Sequence, residues 1–295
     1  MILLEDWKTL SRPPIDFLGA SFFFGAIFFF MLGLNFIAET FSLFILLLTG
    51  VFLVSSFSFL YLFLRHEKKN PNPILDIGLL RSTPFLAANL SNMMIGAGAF
   101  GIFAFVPLYA TSVHKLSTLV SGMILTPRSL GVIPASAVTS FLLKRCGYRW
   151  PMVLGLIIIS LSTILLGGQG SQLLRMIGNH SGVAEILAVL MMITGIGIGI
   201  ALPASNNACI ELMPERVATI TGLRGMFRFV GGAFGISLIT IILHLSSTPA
   251  NGFRITFVSF GLGLLFSIPL VFLMPSGKKG WNKAEIDTGR STLQG

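Results

Sequence analysis

The sequence predicts an all-α, polytopic membrane protein, a transmembrane helix bundle of about eight spans. Hydrophobic residues make up 54% of the 295-residue chain and charged residues only 11%, whereas charged residues make up about 25% of a soluble domain. The apolar residues fall into eight stretches, each near the ~20 residues that cross a bilayer as a helix. Because lipid cannot hydrogen-bond to an open backbone, apolar runs of this length are expected to be helices.

The predicted spans follow a short N-terminal segment, residues 1–14. We interpret this segment either as a helix lying on the membrane surface or as a frayed terminus. The spans themselves are residues 15–37, 41–64, 84–110, 118–142, 150–166, 186–204, 222–243 and 255–273. The connections at residues 39–40 and 144–149 are short, so the helices that they join are predicted to run antiparallel.

The distribution of basic residues predicts the topology. The chain carries 20 Lys and Arg against 11 Asp and Glu, a net charge of +9. With the N-terminus inside, fifteen basic residues fall on the inner side and only Lys115, Arg175 and Arg254 on the outer side. This bias follows the positive-inside rule. Both termini are therefore predicted to be cytoplasmic, and the net charge does not indicate a nucleic-acid partner.

The last six spans are predicted to form an inverted repeat. A charged loop, residues 65–82, separates them from the first two spans. A glycine, an arginine and a second glycine recur at the same spacing in spans four and seven: Gly122, Arg128 and Gly131, then Gly222, Arg228 and Gly231. Span four runs inward and span seven outward, so we predict a 3+3 repeat that relates spans three to five to spans six to eight.

The two repeated arginines are candidate substrate-pathway residues, because an arginine inside a span costs roughly 2.5–3.5 kcal/mol on insertion scales. Arg128 lies between Pro127 and Pro134. It is either a cation facing a cavity or a structural arginine bonded to carbonyls that the prolines free. Arg228 could face the pathway, or it could anchor its helix by reaching the inner surface. Each lies about two turns into its span, which predicts Arg128 toward the outer side and Arg228 toward the inner side.

Polar and small residues elsewhere in the spans have simpler interpretations. Asn89 and Asn92, three residues apart on span three, either line a cavity or hydrogen-bond to a neighbouring helix. Glycines at small-xxx-small spacing are assigned to close helix packing: Gly195 and Gly199, and the set Gly231, Gly232 and Gly235.

No motif for catalysis or metal binding is present in the sequence. The four histidines, His66, His114, His180 and His244, fall in loops or at span ends, and no pair of acids lies in facing spans. Two cysteines, Cys146 and Cys209, give no metal-ligand spacing with them. The sequence therefore predicts no enzymatic activity, no metal and no cofactor.

Three stretches resemble the major facilitator superfamily, specifically its fourteen-helix drug:proton antiporter branch. The loop 143–149 is similar to the family's signature loop, Asp-Arg-x-Gly-Arg-Arg. It matches at Arg145, Gly147 and Arg149 and departs from the pattern at Lys144 and Tyr148. The run Arg228-x-x-Gly231-Gly232-x-x-Gly235 resembles the penultimate helix of this branch, and the glycine-rich run 195–203 resembles the helix two positions earlier.

This resemblance implies that the chain is the C-terminal portion of the family's architecture. Residues 1–82 would hold the surface segment and two linker helices, residues 83–275 a six-helix half, and residues 276–295 a cytoplasmic tail. The N-terminal six-helix half, which carries the proton-coupling acid in this branch, would be a separate partner. The sequence agrees, because no Asp or Glu lies at the centre of any predicted span.

The function implied is part of a secondary transporter in the cell membrane. Such a protein would export small amphipathic or cationic drugs by proton-coupled alternating access. The alternative is a half-length membrane protein without transport activity of its own, either a truncated remnant or a structural subunit.

Overall fold

The computed structural model describes residues 16–39, 43–70, 82–167, 180–212 and 217–274. These residues form helices and turns without any strand, which confirms the predicted all-α class. The helices are α1 (Phe17–Glu39), α2 (Leu43–Glu67), α3 (Thr83–Ser112), α4 (Thr118–Met123), α5 (Thr126–Cys146), α6 (Arg149–Gly167), α7 (His180–Leu212), α8 (Val217–Leu245), α9 (Pro249–Phe266) and α10 (Ile268–Phe272). The N-terminal segment 1–14, the tail 276–295 and Arg175 lie outside the described residues.

Seven spans in the described part of the chain are long and apolar enough to cross a membrane: α1, α2, α3, α6, α7, α8, and α9 together with α10. The chain is therefore a multi-pass membrane protein. Several of its helices are longer than predicted. The largest difference is α7, which has 33 residues where the sequence predicted a span of residues 186–204.

The predicted fourth span, residues 118–142, differs from the prediction. It is broken into the six-residue helix α4 and the 21-residue helix α5, because Pro127 occupies the first turn of α5, a position that favours a new helix start. Helix α5 is long enough to span a bilayer, but it is less apolar than the seven spans named above. Its Ser, Thr and basic residues, including Arg128 and Arg145, account for this difference.

Helix α3 contains one wide turn. Residues Gly96–Gly101 form a π-helical segment that contains three glycines. Such segments are rare and often lie at functional sites. The segment packs against α8, and its buried position means that the widened turn contacts protein rather than lipid.

Helices α1 and α2 form an antiparallel hairpin, as the short connection between them predicted. Their phenylalanine rings stack across the pair, with 5.4 Å between the centroids of Phe29 and Phe59. At the open end of the hairpin the Asp16 carboxylate accepts hydrogen bonds from the Gly19 amide, the His66 ring and the Asn70 side chain. These contacts join the beginning of α1 to the end of α2.

Contacts at the two ends of the bundle agree with the predicted order of the spans. Arg149, counted among the basic residues of the inner side, donates two hydrogen bonds to the carbonyl oxygen of Met274, directly after the last predicted span. At the opposite end the Tyr109 hydroxyl donates to the carbonyl oxygen of Leu166, at 3.2 Å. The beginning of α6 and the end of α10 thus meet at one end of the bundle, and the ends of α3 and α6 meet at the other.

Candidate transport-pathway site

Two glycine-lined interfaces hold the candidate arginines. A Cβ atom added to Gly195 on α7 would lie 3.1 Å from the Cα atom of Arg128 on α5. One added to Gly96 on α3 would lie 3.0 Å from the Cα atom of Arg228 on α8. The backbone of each arginine therefore packs directly against a glycine of the neighbouring helix.

The same equivalence holds one turn further along each helix. The second glycine of each repeated triplet, Gly131 or Gly231, lies against a methionine carbonyl oxygen, that of Met192 or Met93 respectively. In both cases the methionine precedes the facing glycine, Gly195 or Gly96, by three residues. The pairs α5–α7 and α3–α8 thus repeat the same contacts residue for residue, as a 3+3 repeat requires.

The remaining predicted packing glycines lie in these interfaces as well. A Cβ atom on Gly199 would lie 2.6 Å from the carbonyl oxygen of Val132, and one on Gly235 would lie 2.6 Å from that of Ala97. The contact at Gly232 is looser, because a Cβ atom added there would lie 3.2 Å from the Cβ atom of Phe100. The small residues allow the helix backbones to approach closely, which drives association in lipid.

Arg128 faces a cavity of about 290 Å³ between α3, α5 and α7. Its guanidinium carbon lies 4.2 Å from the centroid of the Phe103 ring, a cation–π contact. Within the described residues Arg128 has neither a hydrogen bond nor an ion pair. The alternative in which Arg128 is bonded to free carbonyls therefore has no support in the described residues.

Arg228 is half-buried beside the same face of α3. Its guanidinium carbon lies 5.9 Å from the centroid of the Phe100 ring, and its buried Nε atom has no hydrogen-bond partner in the described part of the chain. Because α8 begins at Val217, Arg228 lies further into its helix than the two turns predicted. Both arginines pack near the middle of the facing helices, Arg128 at Gly195 of α7 and Arg228 at Gly96 of α3.

Asn89 and Asn92 are buried, and neither of them lines the cavity at Arg128. Their side chains are 0% and 1% exposed. Asn89 donates to the Phe85 carbonyl oxygen of its own helix, while Asn92 donates to the Arg224 carbonyl oxygen on α8 at 2.5 Å. Asn92 therefore makes the interhelical bond that was its other interpretation.

Arg224 is a buried residue whose environment the sequence did not reveal. Counting basic residues placed it on the inner side of the membrane, yet it lies within α8 and its side chain is only 3% exposed. Its guanidinium donates to three groups of α7: the Ser205 hydroxyl, the Asn206 side-chain oxygen and the Cys209 sulfur. One feature of the sequence could have indicated that Arg224 belongs to the helix: it lies four residues before Arg228, which puts both arginines on one face of α8.

Comparison with known proteins now identifies the family. The Major Facilitator Superfamily matches residues 90–295, more than two thirds of the chain. The chain belongs to the Major Facilitator Superfamily. The resemblance seen in the sequence is thereby confirmed.

Three relatives with similar sequences are named for drug transport or drug resistance. Multidrug transporter protein MdtP of Bacillus subtilis is 25% identical over 61% of the chain and 32% of the relative. The multidrug resistance protein B homolog of Mycobacterium tuberculosis is 25% identical over 66% of the chain and 34% of the relative. Quinolone resistance protein NorB of Staphylococcus aureus is 25% identical over 72% of the chain and 46% of the relative. The chain thus spans about a third to a half of the length of these relatives.

The loop that resembles the superfamily's signature loop ties three helices together. Gly147 ends α5 with a φ of 71°, which a residue with a side chain rarely adopts. Arg149 reaches Met274 as described above, whereas Arg145 is exposed. Tyr148 hydrogen-bonds to Glu211 at the end of α7; burial raises the pKa of its hydroxyl, and the charge and hydrogen bond of Glu211 raise it further.

The described residues bring together no group of three His, Cys, Asp or Glu side chains that could hold a metal ion. Each of the two cysteines in the described chain is a free thiol, Cys146 exposed and Cys209 buried. The cavity at Arg128 is lined by that arginine, by Ser129 and otherwise by aliphatic and aromatic side chains.

Proposed function

We propose that this chain forms the C-terminal part of a facilitator-type exporter of small amphipathic or cationic drugs. The observation that carries the proposal is the cavity at Arg128, an arginine within a helix bundle that has no protein partner among the described residues. A charge kept in that position at a cost in free energy is expected to serve a transport path. The names of the relatives support a drug substrate.

The proposed mechanism is alternating access. Substrate would sit near the midplane between this bundle and an N-terminal six-helix half, and rocking of the two parts would expose it to each side in turn. The α3–α8 and α5–α7 pairs, locked by backbone contacts at glycines, would move as rigid units. This part of the protein has a binding and conformational role in the proposal and no enzymatic role.

The proposal places the protein in the cell membrane with both termini cytoplasmic, and it assigns proton coupling to the N-terminal half. It is supported by the lengths of the relatives, two to three times that of the matched region. The alternative, a half-length membrane protein without transport activity, needs no such second half.

The test is to read the coding DNA immediately upstream of Met1 and to examine its product. We expect six further spans to be encoded there. When the two portions are co-expressed as separate chains with a tag on one, the untagged portion should copurify in mild detergent. An upstream region without spans, or six-helix and eight-helix portions that do not associate, would contradict the proposal and favour the half-length alternative.

A further inference from the structure

From the charges around the Arg128 cavity we infer that this wall of the pathway binds the carboxylate of a small aromatic amphipath. This inference rests on the proposed transport function and narrows its substrate class. It differs from the cationic substrate considered there, because the charged side chain that lines the cavity among the described residues, Arg128, is positive and the rest of the lining is almost entirely apolar.

The first argument concerns charge. Arg128 lines the cavity, and Arg228 lies on the neighbouring α8 with its buried Nε atom unpaired among the described residues. No acidic side chain of the described chain forms an ion pair with either arginine. The acids in the described part of the chain lie at or near helix ends, and none of them lines the Arg128 cavity. A cation entering here would meet positive charge without a compensating carboxylate, whereas an anion would relieve the unpaired donors.

The second argument concerns the shape of the donor. A guanidinium presents a planar fork of N–H groups that matches the two oxygens of a carboxylate. In Arg128 this fork is held over the Phe103 ring at 4.2 Å, and none of its N–H groups is used by a described residue. A guanidinium that lies over an aromatic ring and donates to no described residue is therefore an available donor pair for a carboxylate.

The third argument concerns the remainder of the ligand. The cavity volume is about 290 Å³, near the lower limit of ~300 Å³ for small-molecule sites. Apart from Arg128 and Ser129, its lining is apolar or aromatic and includes Phe100, Phe103 and Leu202. A flat apolar body with one acidic group fits both the volume and the lining. An aliphatic dicarboxylate or a sugar would leave polar groups unpaired against these side chains.

The experiment uses three ligands of one shape and different charge: 2-naphthylacetate, its methyl ester and 2-naphthylmethyl-trimethylammonium. Binding to the purified 295-residue chain in lipid nanodiscs is measured by equilibrium dialysis, with empty nanodiscs as the reference for partitioning. We expect saturable binding of the carboxylate, with a Kd at least tenfold lower than that of the ester or the cation.

Variants assign the binding to the site. Arg128→Gln should raise the Kd of the carboxylate at least tenfold and leave the weak binding of the ester unchanged, while Arg128→Lys should retain part of the preference. Arg254→Gln removes an exposed arginine of α9 as the matched control and should have no effect. Thermal unfolding of each variant distinguishes a lost site from a lost fold.

The outcomes separate this inference from the proposed function. Equal affinity for all three ligands, or preference for the cation, would overturn the inference while leaving the association of the two halves untouched. The inference would also be overturned if carboxylate binding disappeared once the chain is joined to its N-terminal half. In that case a carboxylate of the protein itself would pair with Arg128. Failure of the two halves to associate would instead overturn the proposed function.

Discussion

The two glycine interfaces make a quantitative prediction about stability. At Gly195 an added methyl group would lie 2.9 Å from the carbonyl carbon of Arg128, and at Gly96 it would lie 2.9 Å from that of Arg228. Ordinary contact begins at 3.4 Å, so the facing helix must shift by roughly half an ångström, and more to clear the carbonyl oxygen. The obstructing atoms are backbone atoms, which cannot rotate away as a flexible side chain could.

The variants are Gly195→Ala and Gly96→Ala, with Gly225→Ala and Gly222→Ala as controls. All four positions are helical, but an added Cβ at either control position meets nothing within 4 Å. Alanine improves helix propensity by up to ~1 kcal/mol at every site, so the difference between interface and control variants isolates the cost of overpacking. Such overpacking costs typically about 1–3 kcal/mol.

The assay is unfolding by SDS in mixed micelles, followed by tryptophan fluorescence, which yields a free energy of unfolding for each variant. We expect each interface variant to be about 1–3 kcal/mol less stable than the controls. Because the two interfaces are equivalent, the two losses should agree within ~1 kcal/mol. Interface variants as stable as the controls would refute the close packing. A loss at only one site would refute the equivalence.

Three further predictions concern the ends of the bundle and its buried polar groups. With Cys146 replaced by serine, a cysteine at Arg145 should resist impermeant thiol reagents in intact cells while one at Arg175 reacts; equal labelling rates would contradict the proposed topology. Burial acts to raise the pKa of Asp16, but hydrogen bonds from Gly19, Asn70 and His66 outweigh it and lower the pKa below its usual 3.8. The stability contributed by this carboxylate is therefore present above that value and lost as the pH falls toward the folded pKa. Asp16→Asn should abolish this acid-range dependence in unfolding curves, and an unchanged pH profile would count against the Asp16 contacts. Arg224→Ala leaves Ser205 and Asn206 without their guanidinium donor and should cost about 1–3 kcal/mol of unfolding free energy, whereas exposed Arg254→Ala should change it by less than ~0.5 kcal/mol.

Hydropathy predicted most of the spans, and residue spacing indicated the repeated contacts, for physical reasons. A span must be apolar over ~20 residues regardless of its neighbours, so α1 or α6 is visible without any tertiary information. The triplets at Arg128 and Arg228 were visible because close backbone contact requires glycine at fixed positions. The equivalence of the two interfaces follows directly from that pattern.

The environments of individual polar residues could not be predicted in the same way. Arg224 was assigned to the inner surface because charge counting treats the first turn of a helix as loop, whereas α8 begins well before the predicted span. The burial of Asn89 and Asn92 depends on which helix covers that face of α3, and a single sequence does not specify the neighbour. The break between α4 and α5 was missed because Pro127 can either start a helix or kink one.

We propose that this bundle transports only together with an N-terminal half, and a measurement of drug export tests this proposal. Cells would be loaded with norfloxacin, a fluorescent aromatic carboxylate that also carries an amine, and its loss would be followed with and without a protonophore. We predict protonophore-sensitive export from cells that make the chain joined to its upstream six-helix portion, and none from cells that make the 295 residues alone. Export by the 295 residues alone, or no export by the joined protein in the membrane, would contradict the claim.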